Sequence, residues 1–478
     1  MSKHIENIHK LLIKNNYPKV DQIKELPSSG SDRIYFRVFF LDEKTDSVLA
    51  SFNPEINENI AHYSFTMHFR VKGLNVPEIY ARDESYQYFL LQDLGNISLM
   101  DKLNSLDKPQ LLNIYKKVID ELLRFQIEGI KGIDLDVAYP VKEFGFENIM
   151  WDLNYFKYYF IKPHNISFNE LLLEKDFINF AEFLLSANSE FFLYRDFQTR
   201  NIMIMNEEPW FIDFQGGRKG PLHYDLVSLL YQAKANLGED LRTQLLNYYL
   251  DSLSKINEKD ALEFKIHYNA FVYFRTMQVL GAYGFRGKVE RKGHFLQSIP
   301  FAIKNLEELL KKYPLEIQLP HLQKVFEQIL KNDDYKQNHL HITNKLKVSI
   351  NSFSYKKAGI PIDISGNGGG FVFDCRGLPN PGRYKELKDF TGQQKQVIDF
   401  LKESVEMDAF LSNCYNLSKD SISNYLERGF GNLQINFGCT GGKHRSVYSA
   451  EWMSRSLKDH SKEDITIDLR HLQIEKGV

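Results

Sequence analysis

Residues 331–345, KNDDYKQNHLHITNK, are polar and follow neither a helical nor a strand-like apolar period. A stretch that buries nothing cannot carry a hydrophobic core across itself. The chain is therefore expected to fold as a larger unit over 1–330, a linker at 331–345 and a smaller unit over 346–478. A length of 478 residues, at roughly 150 residues per domain, agrees with more than one folded unit.

Hydrophobic residues make up 43% and charged residues 26%, which excludes a disordered, collagenous or coiled-coil chain. With 60 Lys+Arg against 62 Asp+Glu, the net charge is -2, so no whole-chain basic field recruits nucleic acid or an anionic membrane. Cys375, Cys414 and Cys439 are widely spaced and form no CxxC pair, which argues against a disulfide framework or a zinc site and for a reducing, cytoplasmic compartment. Met1–Lys10 shows no apolar secretory core, and no run reaches membrane-spanning length. The aromatic residues, 14% of the chain, fall in apolar-patterned segments and are read as core.

β-Branched and aromatic runs at 34–41 and 47–52 flank the polar turn Asp42–Asp46 and predict a hairpin. A third strand is expected at 88–92, and apolar spacing over 108–128 predicts a helix. Short strands at 202–205 and 210–212 precede helical patterns from about 223 to 313. In the second unit, strands are expected at 347–354, 371–376 and 433–437, with a Gly-rich turn at 366–370 and a helix over 447–457.

The segment Tyr194-Arg195-Asp196-Phe197-Gln198-Thr199-Arg200-Asn201, followed by a strand, a turn and Phe211-Ile212-Asp213-Phe214, sets out a D-x4-N…D pattern. Phosphoryl transfer needs a carboxylate to orient the acceptor hydroxyl and hard oxygen ligands for Mg²⁺ on the nucleotide phosphates. Asp196, Asn201 and Asp213 supply that set, although Asp and Asn are also common turn residues.

These residues, with Gly220-Pro221-Leu222-His223-Tyr224-Asp225-Leu226, Ser28–Val38 and Leu90–Gly95, resemble the aminoglycoside phosphotransferase-like kinases over about residues 10–325. Within them the resemblance is to the AmgK-type anomeric amino-sugar kinases. It implies an α+β, two-lobed protein-kinase-like domain using ATP and Mg²⁺ on a small sugar or amino-sugar acceptor. Asp196 would be the catalytic base, Asn201 and Asp213 the Mg²⁺ ligands, and Asp225 a support for the catalytic loop. Ser28, Ser29, Gly30 and Ser31 would form the phosphate-covering loop. Two positions depart from the family pattern. Tyr194 stands where His is common, which bears on loop support, and Val48–Phe52 lacks the expected strand lysine. Arg33 and Arg37 are the alternative cations for the phosphates. Asp152, Asn154, His223, Tyr224 and Arg275 are the polar candidates on the acceptor side.

Gly438-Cys439-Thr440-Gly441-Gly442-Lys443-His444-Arg445-Ser446 lies between an apolar strand and a helical segment. Converging backbone N–H groups, a helix N-terminus and three basic side chains predict an anion site. It is not a Walker A loop, since Phe437 occupies the first glycine position and His444 follows the lysine. The spacing also fits C-x5-R-S, in which Cys439 is either a nucleophile or a small buried residue.

Together with Ser352–Lys356, Gly359-Ile360-Pro361, Phe373–Pro381, Leu387 and Thr391-Gly392, this loop resembles the RapZ C-terminal domain over about residues 346–458. RapZ is a bacterial adaptor whose C-terminal domain senses glucosamine-6-phosphate and binds a small regulatory RNA. The resemblance implies a smaller α/β domain in which Thr440, Gly441, Gly442, His444, Arg445 and Ser446, beside Cys439, hold a phosphorylated amino sugar with Arg376 and Asn380. Near-balanced charge in this region weakens, without removing, the expectation of an RNA partner. The expectation is a bacterial sugar kinase fused to a sugar-phosphate-binding domain; the alternative is a regulatory adaptor built on a pseudokinase that senses glucosamine-6-phosphate, with small RNA as a candidate partner.

Overall fold

A computed structural model describes residues 2–26, 33–42, 44–103, 105–290, 295, 298–313, 315, 317–332, 346–357, 359–363, 369–427, 431–460 and 465–475. They divide into two compact units, Met1–Ala282 with Phe301–Asn332, and Tyr283–Pro300 with Asp333–Val478. Residues 333–345 of the expected linker and 366–368 of the Gly-rich turn lie outside the described residues.

The first unit opens with α1 (Ser2–Lys14), β1 (Val20–Glu25), β2 (Ile34–Phe40), β3 (Val48–Phe52), α2 (Ile56–Val71), β4 (Ile79–Arg82) and β5 (Tyr88–Gln92). The strands form an antiparallel sheet in the order β1-β2-β3-β5-β4. In β2, Phe36, Val38 and Phe40 alternate inward and share a core with Ile8, Leu11 and Leu12 of α1. The two-residue strand period therefore puts Tyr35 and Arg37 on the other face, in phase with Arg33.

Helices follow: α3 (Lys108–Leu123), α4 (Phe146–Phe156) and α5 (Glu170–Leu185). Asp107 and Gln110 form a reciprocal capping box at the start of α3, whose Tyr115, Val118, Ile119 and Leu122 are buried at helical spacing. The expected helix to 128 changes character at its end, because Arg124–Glu128 widen into a π-helical turn. Strands β6 (Phe191–Leu193), β7 (Ile202–Met205), β8 (Glu208–Phe211) and β9 (Arg218–Gly220) come next. β6 pairs with β9, and β7 with β8 through a turn where Asn206 and Glu207 are both left-handed. The helices α6 (His223–Leu230), α7 (Glu239–Ile256), α8 (Glu258–Gly284), α9 (Ile299–Lys312) and α10 (Pro320–Lys331) complete the series.

The second unit contains β10 (Leu346–Ser354), β11 (Gly370–Asp374), α11 (Lys395–Lys402), α12 (Val405–Glu427), β12 (Asn432–Cys439), α13 (Arg445–His460) and β13 (Ile465–His471). All neighbours in its sheet, ordered β11-β12-β10-β13, run parallel. β12 is buried along its whole length, as a parallel strand covered on both faces must be. Ser354 is level with Cys439, and Asp374 with Gly438. The carboxyl ends of three strands thus share one edge, where open parallel sheets bind ligands.

Candidate functional site

β6 delivers the chain into a tight loop that Asp225 of α6 holds from beneath. Its carboxylate accepts the N–H of Tyr194 at 2.7 Å and of Arg195 at 2.9 Å. Burial pushes the Asp225 carboxyl up to about 7, against the pull of those two N–H donors. Arg195 and Asp213 both adopt left-handed backbone, at φ 83° and 71°, a conformation that side chains other than glycine hold only when their surroundings impose it. The Tyr194 hydroxyl donates to the Ile212 carbonyl at 2.6 Å, and its ring meets Phe125, Phe197 and Phe214. Tyrosine thus ties the loop to the residue preceding Asp213.

Thr199–Asn201 form a single 3-10 turn before β7. From it, Asn201 Nδ2 donates to the Asp196 carbonyl at 2.9 Å and to Asp213 Oδ2 at 3.1 Å. Asp196, Asn201 and Asp213 are therefore brought together. Burial and then the neighbouring Asp196 raise the Asp213 carboxyl above its ordinary value.

A chain of contacts leads away from Asp213. Gln215 Nε2 donates to Asp213 Oδ1 at 2.7 Å and to Glu58 Oε1 at 3.1 Å. Glu58 lies in the first turn of α2 and pairs with Arg33 Nη2 at 2.9 Å. Asn53 holds the other Glu58 oxygen at 3.0 Å. Arg37 does not join this cluster: its guanidinium is engaged by Asp93, Asn96 and the Gly95 carbonyl. Ser28, Ser29, Gly30 and Ser31 lie outside the described residues.

On the other side of the loop, Arg195 Nη2 meets both Asp152 oxygens, at 3.3 and 3.1 Å. Arg195 and Arg275 lie 5.2 and 5.6 Å from the centre of the Tyr224 ring. Asp152, Tyr224 and Arg275 thus assemble as acceptor-side candidates, while His223 does not. It is stacked against Phe264 and Phe271, with Nε2 on the Phe264 carbonyl, and burial depresses its pKa to about 3. Its apolar surroundings make it a core residue.

In the second unit the loop after β12 turns on Gly442, whose φ of 68° belongs to the left-handed region. The Gly442 N–H donates to Cys439 Sγ at 3.2 Å, and that sulfur lies 3.1 Å from Ser446 Oγ. Ser354 Oγ donates to the Thr440 carbonyl at 2.7 Å. Arg445, on the first turn of α13, donates through Nη1 to the carbonyls of Arg376 and Leu378, at 2.8 and 2.9 Å. Arg445 Nε and His444 Nε2 are buried with no hydrogen-bond partner among the described residues. Gly392 is wedged against the loop, since a Cβ there would lie 2.3 Å from the His444 carbonyl. Arg376 makes a close pair with Asp374, Nη2 to Oδ2 at 2.7 Å, and lies over Tyr355. Asn380 caps the next turn by accepting the Gly382 N–H at 3.2 Å. The loop residues and Arg445 gather at the strand ends, with Arg376 and Asn380 held on the adjoining turns.

Sequence reasoning missed Glu58 and Arg218. Glu58 is one acid among several in a helix with no motif, and only its approach to Arg33 and Gln215 singles it out. Arg218 is one of many basic residues in the chain, and its burial on β9 has no local sequence signal.

A family model described as the phosphotransferase enzyme family matches residues 24–262, and one described as the RapZ C-terminal domain matches residues 346–475. The chain is 38% identical over 137 residues to a nucleotide-binding protein of Clostridium acetobutylicum, covering 29% of this chain and 44% of the relative. It is 38% identical over 132 residues to one of Glaesserella parasuis, covering 28% and 43%. The chain thus spans less than half the length of these curated relatives. Similar solved structures include the amicoumacin kinase hAmiN in complex with AMP-PNP, Ca²⁺ and Ami, at 10% identity and TM-score 0.45, covering 67% of this chain and all (100%) of that one. Choline kinase from Cryptosporidium parvum Iowa II is similar at 14% identity and TM-score 0.46, covering 69% and 100%. With both family models matched in chain order, the chain belongs to the phosphotransferase enzyme family through residues 24–262 and carries a RapZ C-terminal domain over residues 346–475.

Proposed function

We propose that the protein transfers the γ-phosphoryl group of ATP to a hydroxyl of a small sugar or amino sugar, and that its RapZ-like domain binds a phosphorylated amino sugar. The observation that carries the reading is the placement of Asn201, one amide that engages both the Asp196 backbone and the Asp213 carboxylate. Asp196 is the group that orients the acceptor hydroxyl and takes its proton. Asn201 and Asp213 are the residues that would hold Mg²⁺, and bound Mg²⁺ would neutralise charge on the phosphates. Their donor set of hard oxygens fits that ion. Among the described residues no group of three or more His, Cys, Asp or Glu is arranged to hold a metal.

Arg33 takes the part of the absent strand lysine, oriented by Glu58 and linked through Gln215 to Asp213. This pairing weakens the pseudokinase-adaptor reading, which rested on the missing cation. In the second domain, the unpartnered buried ring and guanidinium nitrogens of His444 and Arg445 and the Gly442 turn support an anion site, with Cys439 as part of the packed loop rather than a nucleophile. The proposed organisation is a kinase domain over 1–330, a linker at 331–345 and the sugar-phosphate domain over 346–478. The three buried, free cysteines fit a cytoplasmic setting, and no helix among the described residues is long and apolar enough to cross a membrane.

The test is ATP turnover with Mg²⁺ across a panel of free amino sugars, wild type beside Asp196→Asn, with and without glucosamine-6-phosphate. Turnover that Asp196→Asn abolishes supports the kinase, and a response to the sugar phosphate couples the domains. Absence of turnover, with tight glucosamine-6-phosphate binding, would replace the kinase by the adaptor; small-RNA filter binding at two salt concentrations then tests for an RNA partner.

A further inference from the structure

Three arginines gather around Tyr224, and two of them, Arg195 and Arg218, lie within electrostatic reach of the Asp196 carboxylate. Arg195 directly precedes it and spends Nη2 on Asp152, while Nη1 is buried with no hydrogen-bond partner among the described residues. Arg218 on β9, only 5% exposed, donates Nε and Nη2 to a single carbonyl, that of Gly216. Arg275 on α8, 6% exposed, gives Nε to Ser228 at 2.8 Å and Nη1 to Gln278, and lies against the Tyr224 ring. Among the described residues neither Arg218 nor Arg275 has a carboxylate oxygen within 4.0 Å, and the carboxylates that act on Arg218 are Asp152, already paired with Arg195, and Asp196. Burial and then the field of Arg195 lower the Arg218 pKa to about 10. Buried guanidinium groups short of counter-charge are costly to keep, and a site that keeps them beside a catalytic carboxylate favours a ligand bringing negative charge.

We infer that the acceptor is anionic, a sugar carrying a carboxylate or phosphate group that engages the Arg195–Arg218–Arg275 cluster while its hydroxyl faces Asp196. The inference rests on the phosphotransferase reading above. It disfavours polycationic acceptors, because the same cluster repels them.

Three acceptors that share one ring and differ only at C6 test it: N-acetylglucosamine, its 6-phosphate and its 6-carboxylate, with an aminoglycoside as the polycation. The wild type is expected to prefer the phosphate or the carboxylate over the neutral sugar by about tenfold or more in kcat/KM, and whichever is preferred identifies the anion. Arg218→Met is expected to remove that preference by raising KM for the anionic acceptor, and Arg218→Lys to restore part of it. If Arg218→Met lacks native near-UV circular dichroism, Arg275→Met takes its place. Equal or better turnover of the neutral sugar or the aminoglycoside, or a preference indifferent to Arg218, would overturn the inference and leave phosphotransfer intact. Failure of every acceptor would instead count against the kinase reading. Calorimetry with the 6-carboxylate then decides, since binding that Arg218→Met does not weaken comes from elsewhere in the chain and overturns the inference.

Discussion

Arg33 Nη2 lies 2.9 Å from Glu58 Oε1, an ion pair between the residue that leads into β2 and the first turn of α2. Burial works against the charge of Arg33, but Tyr35, Glu58 and Asp213 outweigh it and raise its pKa. The pair places a permanent cation near Asp213 without a lysine on β3, and under the proposed phosphotransfer the position of α2 would matter.

Removing that cation should disable phosphotransfer. Arg33→Met is expected to lower kcat/KM by about a hundredfold, the loss typical of a charge-stabilising donor in a transfer site. Glu58→Gln should show a smaller loss with a raised KM for ATP. Steady-state kinetics at saturating acceptor check both, and wild-type rates in Arg33→Met would return the role to another cation.

Tyr194→Phe should leave the ring packing and delete the 2.6 Å hydrogen bond to the Ile212 carbonyl. The bond is only partly buried, so the cost is expected at about 1 kcal/mol. Urea unfolding of the full chain measures it. A neutral result would mean that the aromatic contacts alone hold the loop to the Asp213 segment.

His223 is neutral in the fold because burial depresses its pKa from 6.5 to about 3. A depressed histidine contributes stability that is present above pH 6.5 and is lost as the pH falls from there toward 3. Summed over that window the loss approaches roughly 4–5 kcal/mol. His223→Phe should flatten this part of the pH–stability curve, measured by denaturant unfolding between pH 4 and 7. An unchanged slope would assign acid lability to other groups.

Gly442→Ala forces a side chain into φ 68° and toward Ser354 and Gln473, with contacts of 3.0 Å. The cost is expected at about 1–2 kcal/mol, together with weaker glucosamine-6-phosphate binding. Cys439→Ser should bind that ligand nearly as well as wild type, because a hydroxyl can still accept the Gly442 N–H. Calorimetry on the two variants separates a loop that needs its backbone shape from one that needs a thiol.

Much of this protein was legible in the chain itself. Alternation in Ile34–Phe40, the apolar spacing of α3 and the buried run of β12 are local patterns, because the strand and helix periods dictate which side chains share a face. The D-x4-N…D order and the glycine-rich turn at Gly441-Gly442 are local as well, since neighbours along a tight loop are neighbours in space. What the tertiary structure alone decided is which distant groups meet. Arg33 meets Glu58 of α2, whereas Arg37 is engaged by Asp93 and Asn96. His223 went to the aromatic core and its neighbour Tyr224 to the arginine cluster, since adjacent helix positions point about 100° apart. Glu58 and Gln215 gained their places through a contact that spans 157 residues of the chain. Charge pairing and burial depend on those long-range distances, and no spacing along the sequence encodes them.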